Sequence, residues 1–180
     1  FKDISTAYGM TETSGIVTYT LNGDPDELVS NTSGCVIDDV EVRIVDEEGN
    51  DVPRGEPGEL LVRGYQVTPG YLLGDGGITK ATDDDDCLHT VDVVVMNELG
   101  YIDVTDRIKD MYIVGGFNAY PAEIERMMVE HPDIGIASVI GVPEARLGEV
   151  GAAFIVRAPG SIITEEAVIA WCREEMANYK

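Results

Sequence analysis

The sequence predicts an α+β chain in two parts, and three observations carry that prediction. Val40 to Val45 alternates, with Val42 and Ile44 on one face and Glu41 and Arg43 on the other, the period of a half-buried strand in a β-rich first part. Residues 121–172 read as helix, strand, strand, helix, a small α+β unit able to form its own core. Between the two, residues 100–125, GYIDVTDRIKDMYIVGGFNAYPAEIE, join a strand, a charged turn, a second strand, a glycine loop and a helix start.

Taken in order, Ile16 to Leu21 is a short β-prone piece followed by the loop NGDPDEL. The strand at Val40 to Val45 turns at Asp46 to Asn50 and returns as Glu59 to Arg63, ended by Gly64, so residues 40–64 are expected to form an antiparallel pair. Residues 74–87 are polar and glycine-rich. Their run Asp83 to Asp86 lacks the alternating oxygens, central glycine and terminal Glu of a calcium loop and is expected to be a solvated loop. Leu88 to Val95 is an apolar, β-branched run that contains Asp92, and an ionisable residue there is expected at a strand end or an exposed edge.

In the joint, Tyr101, Ile102 and Val104 favour a strand, Thr105 to Asp110 interrupts it, Met111 to Val114 resumes it, and Gly115-Gly116 breaks it. Pro121 suits the first helical position, where its missing N–H costs nothing, and Glu123 and Glu125 lie near the positive end of the helix dipole. Ile124, Met127 and Met128 follow at helical spacing before His131-Pro132 ends the segment. Ala137 to Val142 and Gly151 to Arg157 read as strands. Thr164 is an N-cap for a last helix, with Ile163 and Val168 as a hydrophobic staple and Val168, Trp171 and Cys172 on one face.

Composition narrows the function classes. A chain of 180 residues with 44% hydrophobic content can bury one substantial core or two small ones. No apolar run approaches the roughly 20 residues that cross a bilayer, and the first residues lack the grading of a signal peptide, so a cytoplasmic chain without an integral membrane segment is expected. The formal net charge of −22, from 34 acidic against 12 basic side chains with no Lys/Arg cluster, argues against a nucleic-acid partner. It fits either a protein kept soluble at high salt or a merely acidic one. Cys35, Cys87 and Cys172 are widely spaced and support neither a disulfide framework nor a zinc site. His89 and His131 have no partners at telling spacing, so both are expected to be structural.

Several short motifs then occur in fixed order: YGMTE at 8–12, GEPGELLVRG at 55–64 with PGYL at 69–72, LHTVD at 88–92, the long joint, and VIGVPE with LGE at 139–149. Each is weak alone, but together they span nearly the whole chain and resemble the AMP-forming acyl-CoA synthetases of the adenylate-forming family. The resemblance implies a ligase working in two steps on a carboxylic acid, ATP and coenzyme A. It implies the β-rich, distorted barrel-like end of a large N-terminal domain over residues 1–108, and an incomplete small C-terminal domain over residues 109–180, joined by a hinge. The form GGFNAYPAEIE resembles fatty-acid or steroid side-chain ligases more than peptide-synthetase domains.

By the same resemblance, Tyr8, Gly9 and Met10 belong to the nucleotide site, with Tyr8 beside the adenine, Thr11 on the α-phosphate and Glu12 as the Mg²⁺ ligand. Asp92 and Arg107 match the ribose-binding pair for ATP or AMP. Lys109 falls at the hinge residue about which the small domain turns between the two steps, and Gly115, Gly116 and Phe117 resemble the loop that lines the pantetheine tunnel.

The chain departs from the family pattern in three motifs. The T-G-D glycine is Val91, the D-G-W-L motif reads Asp85-Asp86-Cys87-Leu88, and the G-x-P-x-P-G motif reads Gly34-Cys35-Val36-Ile37-Asp38-Asp39. A β-branched residue beside Asp92 is expected to crowd the ribose or change the backbone angle, which leaves a noncatalytic nucleotide- or partner-binding relative as the second expectation. The chain begins at Phe1, and the resemblance implies a phosphate loop before it and an adenylation lysine after Lys180. On that basis residues 1–180 alone are expected not to catalyse adenylation.

Overall fold

A computed structural model describes residues 4–180, so Phe1 to Asp3, the start of the first expected domain, lie outside the description. The chain divides into two compact units, one running to Thr105 and the other from Asp106 to Lys180.

The first unit is built from antiparallel sheets. Strands β1 (Ala7–Met10) and β2 (Gly15–Tyr19) form a hairpin around a single 3₁₀ turn, Thr11–Thr13. The region expected to be only a loop holds a six-residue helix, α1 (Asp26–Asn31), which starts just after Pro25 with Asp26 and Glu27 in its first turn. Proline fixes a φ suited to a helix entry, and the two acids favour the positive end of the dipole, a signal that the loop-like composition hides. Strand β3 (Cys35–Val36) then completes a sheet of order β1-β2-β3.

Strands β4 (Val40–Val45) and β5 (Pro57–Gly64) pair as the alternation predicts, from Val40 opposite Gly64 to Val45 opposite Glu59. A short hairpin, β6 (Gly70–Leu72) with β7 (Ile78–Lys80), occupies part of the glycine-rich stretch. Strands β8 (Leu88–Met96) and β9 (Ile102–Arg107) complete a sheet of order β4-β5-β8-β9. Its core joins Val40, Ile44, Leu60, Val62, Val94 and Ile102 to Val17 of the hairpin. Tyr101 donates its hydroxyl to both oxygens of Asp24 at 2.9 Å, which pushes its pKa up to about 12 and fastens the loop after β2 to the turn before β9.

In the second unit, the glycine loop of the joint is a tight hairpin rather than a lead into the helix. Strand β10 (Tyr112–Val114) reverses at Gly115-Gly116 into β11 (Phe117–Ala119), with Val114 opposite Phe117. Both glycines have positive φ, 57° and 93°, as a two-residue hairpin turn requires. Helix α2 (Pro121–Met128) begins on its proline as expected. Strands β12 (Ile134–Glu144) and β13 (Gly148–Arg157) form a long hairpin, giving a sheet of order β11-β10-β13-β12. Helix α3 (Glu165–Glu175) is capped by Thr164, whose hydroxyl accepts from the Ala167 N–H at 3.3 Å, and Ile163 and Val168 both pack on the core. That core is Tyr112, Val114, Ala119, Ile124, Met128, Ile134, Val139 and Val168. His131 lies edge-on to Trp171 of α3, with ring centroids 5.2 Å apart.

Among the described residues, no helix is long and apolar enough to cross a membrane.

Candidate functional site

The turn between β1 and β2 presents the first group of residues named from the sequence. Thr13, fully buried, pins it: its hydroxyl accepts from the Met10 N–H at 3.1 Å and lies 3.0 Å from the Met10 carbonyl and 2.9 Å from the Gly15 carbonyl. Thr11 is left exposed and Glu12 half-buried on the outside of the turn. Gly9 is obligatory here, since a Cβ at that position would lie 2.0 Å from the Gly15 carbonyl oxygen. Thr13, just past the motif, is thus the structural threonine, and Thr11 stays exposed on the turn.

Two further motifs converge on this turn. The Thr68 N–H donates to the Glu12 carbonyl at 2.7 Å, and the Tyr71 hydroxyl donates to Glu12 Oε1 at 3.1 Å. The Tyr8 hydroxyl donates to Asp92 Oδ2 at 2.6 Å. Residues separated by more than eighty positions therefore share one hydrogen bond, and YGMTE, PGYL and LHTVD form one constellation. The sequence marked the PGYL motif that holds Tyr71 but not its bond to Glu12, and it gave no sign of Thr13, because only the folded turn brings these partners together.

Asp92 corrects the expectation of a strand end or exposed edge: it is buried in the interior of β8, only 5% exposed. The reason is a local break in the ladder. Pairing of β5 with β8 passes from Glu59 opposite Val93 to Leu61 opposite His89, so Thr90, Val91 and Asp92 bulge opposite Leu60 alone. The bulge satisfies its backbone with side chains. Thr90 Oγ1 donates to the Leu60 carbonyl at 2.8 Å and accepts from the Asp92 N–H at 3.2 Å, while the Val91 N–H donates to Glu59 Oε1 at 3.1 Å. Val91 itself has φ of 65°, in the left-handed region that glycine enters freely and a β-branched residue enters only with strain. Asp39 and Asp86, the other two residues standing at glycine positions of the family motifs, have φ of 61° each. All three residues adopt a backbone natural to glycine, and at Val91 that backbone carries strain.

His89, expected to be a structural residue without telling partners, has carboxylates at both ring nitrogens. Its Nδ1 lies 2.9 Å from Glu59 Oε2 and its Nε2 3.4 Å from Asp83 Oδ2. The Glu59 hydrogen bond raises the imidazole pKa above its ordinary value, against the opposing effect of burial. Asp83 also organises its own loop by accepting from the Cys87 and Asp85 N–H groups at 2.8 and 3.0 Å.

The remaining named residues lie beyond Thr105. Arg107 ends β9 and is exposed, and Lys109 stands in the exposed turn after it, where the Asp110 and Met111 N–H groups both donate to the Arg107 carbonyl. Asp106, absent from the sequence-derived set, is 7% exposed and accepts from the Arg107 N–H at 2.7 Å and the Ala122 N–H at 2.8 Å, so it caps α2 from the start of the unit. Burial raises its pKa, with the two N–H donors opposing. Gly115-Gly116 form the hairpin turn described above. Phe117 is exposed and stacks on Tyr179, with centroids 5.0 Å apart and planes 17° from parallel.

No group of three or more His, Cys, Asp or Glu side chains able to hold a metal is found among the described residues. Glu12 stands as a single carboxylate beside an exposed threonine. That donor set fits a Mg²⁺ ion carried in by phosphates, which needs one or two carboxylates, and not a resident protein-caged ion.

The chain resembles known proteins along nearly its whole length. Residues 1–72 match the family of the AMP-binding enzyme and residues 123–180 match the AMP-binding enzyme C-terminal domain. The methyl-dioxo-octahydroindenyl-propanoyl:CoA ligase of Rhodococcus jostii is 45% identical over 180 residues, which cover 100% of this chain and 33% of the relative. The long-chain-fatty-acid–CoA ligase of Escherichia coli is 38% identical over 176 residues, 96% of this chain and 30% of the relative. Among solved structures, ATP-bound MatB of Rhodopseudomonas palustris has a TM-score of 0.88 at 34% identity, covering 98% of this chain and 35% of that one. The o-succinylbenzoate CoA synthetase of Bacillus subtilis, solved with its acyl-adenylate intermediate, has a TM-score of 0.82 at 28% identity, covering 98% of this chain and 35% of that one. The chain belongs to the AMP-binding, adenylate-forming enzyme family. It spans about a third of the length of the curated relatives it matches.

Proposed function

We propose that the chain is part of an ATP-dependent acid–CoA ligase and supplies the nucleotide-facing turn, the hinge and part of the small domain of that enzyme. The reading rests on one observation above the others, the Tyr8 to Asp92 hydrogen bond that unites two separate motifs around a buried carboxylate. In the first step, a substrate carboxylate oxygen attacks the α-phosphorus of ATP and pyrophosphate leaves. In the second, the coenzyme A thiol attacks the acyl carbon and AMP leaves.

Within that scheme, the Tyr8 ring packs against adenine, and its hydroxyl orients Asp92 to accept from the ribose hydroxyls, with Arg107 as the charged donor of the pair. Thr11, exposed on the turn, donates to the α-phosphate. Glu12, oriented by Tyr71, would hold Mg²⁺ that arrives with the nucleotide. When bound, the ion offsets the charge that develops on the phosphoryl oxygens. Lys109 serves as the pivot between residues 1–108 and 109–180, and Gly115, Gly116 and Phe117 line the path of the coenzyme A arm, where absent side chains permit close approach. The left-handed conformation kept at Asp39, Asp86 and Val91 favours this reading over a noncatalytic relative, because the altered motifs retain a glycine-like backbone.

The test is to express the complete reading frame that encodes this chain and follow pyrophosphate release with a panel of acids that includes a long-chain fatty acid and a polycyclic propanoate. Acid-dependent release of pyrophosphate, followed by AMP and acyl-CoA formation, is expected. A frame that encodes a phosphate loop and a distal lysine yet releases no pyrophosphate with any acid would remove the ligase assignment.

A further inference from the structure

The Val91 corner has a second feature that the proposed reaction does not use. Glu59 spends its two oxygens on different groups: Oε1 accepts from the Val91 N–H at 3.1 Å, and Oε2 lies 2.9 Å from His89 Nδ1. On its other side, His89 Nε2 lies 3.4 Å from Asp83 Oδ2. An imidazole flanked by carboxylates at both nitrogens is matched only when both nitrogens carry protons, since a neutral ring has one donor and one acceptor and must set its lone pair against one of the carboxylates. A continuous series therefore runs from Asp83 through His89 and Glu59 to the Val91 N–H, then along one residue of strained backbone to Asp92 and its Tyr8 partner.

We propose that His89 is a positioning residue for Asp92: while doubly protonated, it holds Glu59 on the Val91 N–H and so keeps the left-handed corner that presents the Asp92 carboxylate. The consequence for nucleotide binding rests on the reading of Asp92 as the ribose acceptor. Left-handed backbone at a β-branched residue persists only where its surroundings over-determine it, and the Glu59 carboxylate is the side chain that does so at this N–H. The groups facing His89 are Glu59 on β5 and Asp83 on the loop before β8. Lys80 touches the same loop at the Asp83 carbonyl and at Asp86, so it steadies the loop without meeting the ring. Its position at the exposed rim, with about half of the His89 side chain accessible, leaves the ring free to exchange protons with solvent.

The sign of the effect follows from the geometry and from the raised pKa of His89. The clamp is complete below the ordinary imidazole value of 6.5 and is lost as pH rises through the higher value of the folded protein. Loss of the positive charge turns the charge-assisted hydrogen bond from His89 Nδ1–H to Glu59 into one from a neutral donor, so Glu59 and with it Asp92 are held less firmly and nucleotide affinity falls on the alkaline side.

The test is an amide and imidazole NMR titration of the 180-residue chain between about pH 5 and about pH 9, paired with AMP titrations across the same range. The Val91 and Asp92 amide resonances are expected to move with the same midpoint as the His89 ring, to stop titrating in His89→Gln, and to lose that midpoint in Glu59→Gln. AMP affinity is expected to fall by up to about fivefold across the transition in the native chain, the range open to a solvent-screened contact, and to be flat in His89→Gln. Amide shifts that ignore the His89 midpoint, or that persist unchanged in His89→Gln, overturn the proposal, as does an AMP affinity that is the same at every pH in the native chain. Amides that follow His89 while AMP binds at no pH keep the coupling to Asp92 and instead refute the ribose reading.

Discussion

At Val91 a single residue type conflicts with the backbone it occupies. A valine at φ of 65° carries strain of about 1–2 kcal/mol that glycine would not. Asp39 and Asp86 adopt nearly the same φ at lower cost, because a short polar side chain tolerates the left-handed region. Val95, half-buried like Val91 on the same strand, provides the control, since it sits among extended residues and pairs with Pro57. Both Val→Gly changes lose side-chain burial and add unfolded-chain entropy, but only Val91→Gly relieves strain. Urea unfolding should therefore find Val91→Gly about 1–2 kcal/mol less costly than Val95→Gly. Equal costs would mean that the bulge accommodates valine without strain. The sequence displayed Val91 as an odd residue in a T-x-D motif but offered no means of telling whether the backbone had changed or the side chain had been forced to comply.

At the scale of elements, the start of α2 depends on a residue outside the helix. Tyr120, its N-cap residue, makes no side-chain cap, and Pro121 has no N–H to satisfy, so the first donor needing a partner is the Ala122 N–H. Asp106 supplies that partner from sixteen positions earlier, while its other oxygen accepts from the Arg107 N–H. One carboxylate thereby fastens the end of β9 to the beginning of α2. Asp106→Ala is expected to destabilise the chain by about 1–2 kcal/mol, the scale of a lost helix cap, and to raise hydrogen exchange at Ala122 and Ile124 above that of α3. If exchange rises equally in both helices, the loss is global and the cap is not the cause. Elsewhere the elements follow local signals closely. The alternation of Val40 to Val45, Pro121 at the first helical position and Thr164 before Glu165 each act within a few residues, and each element stands where those signals put it. Where the signals are ambiguous the outcome differed: Asp26–Asn31 became a helix in loop-like composition, and Gly115-Gly116 became a hairpin whose returning strand, β11, has only three residues.

At the scale of the whole molecule, the units end on one side and begin on the other of the bond between Thr105 and Asp106, and the proposed pivot stands in the exposed turn just after it. None of the described hydrogen bonds uses the Lys109 N–H as a donor, so proline there tests the freedom of the backbone rather than a lost bond. In the protein expressed from its complete reading frame, Lys109→Pro should leave acid-dependent pyrophosphate release within about threefold of the native rate and slow acyl-CoA formation by about a hundredfold or more. Parallel loss of both steps would remove Lys109 from the pivot role. The sequence by itself determined the two-part α+β organisation, the family and the strongly acidic character, because periodicity, motif order and charge are properties of the chain that need no knowledge of distant partners. Only the tertiary structure decided that Asp92 is buried at a bulge, that Tyr8 meets Asp92 and Tyr71 meets Glu12, that His89 stands between two carboxylates, and that Thr13 rather than Thr11 holds the turn. Most of those facts depend on strand register and on side chains far apart in the chain, and a one-residue shift in the pairing of β5 with β8 would turn every one of the bulge contacts elsewhere.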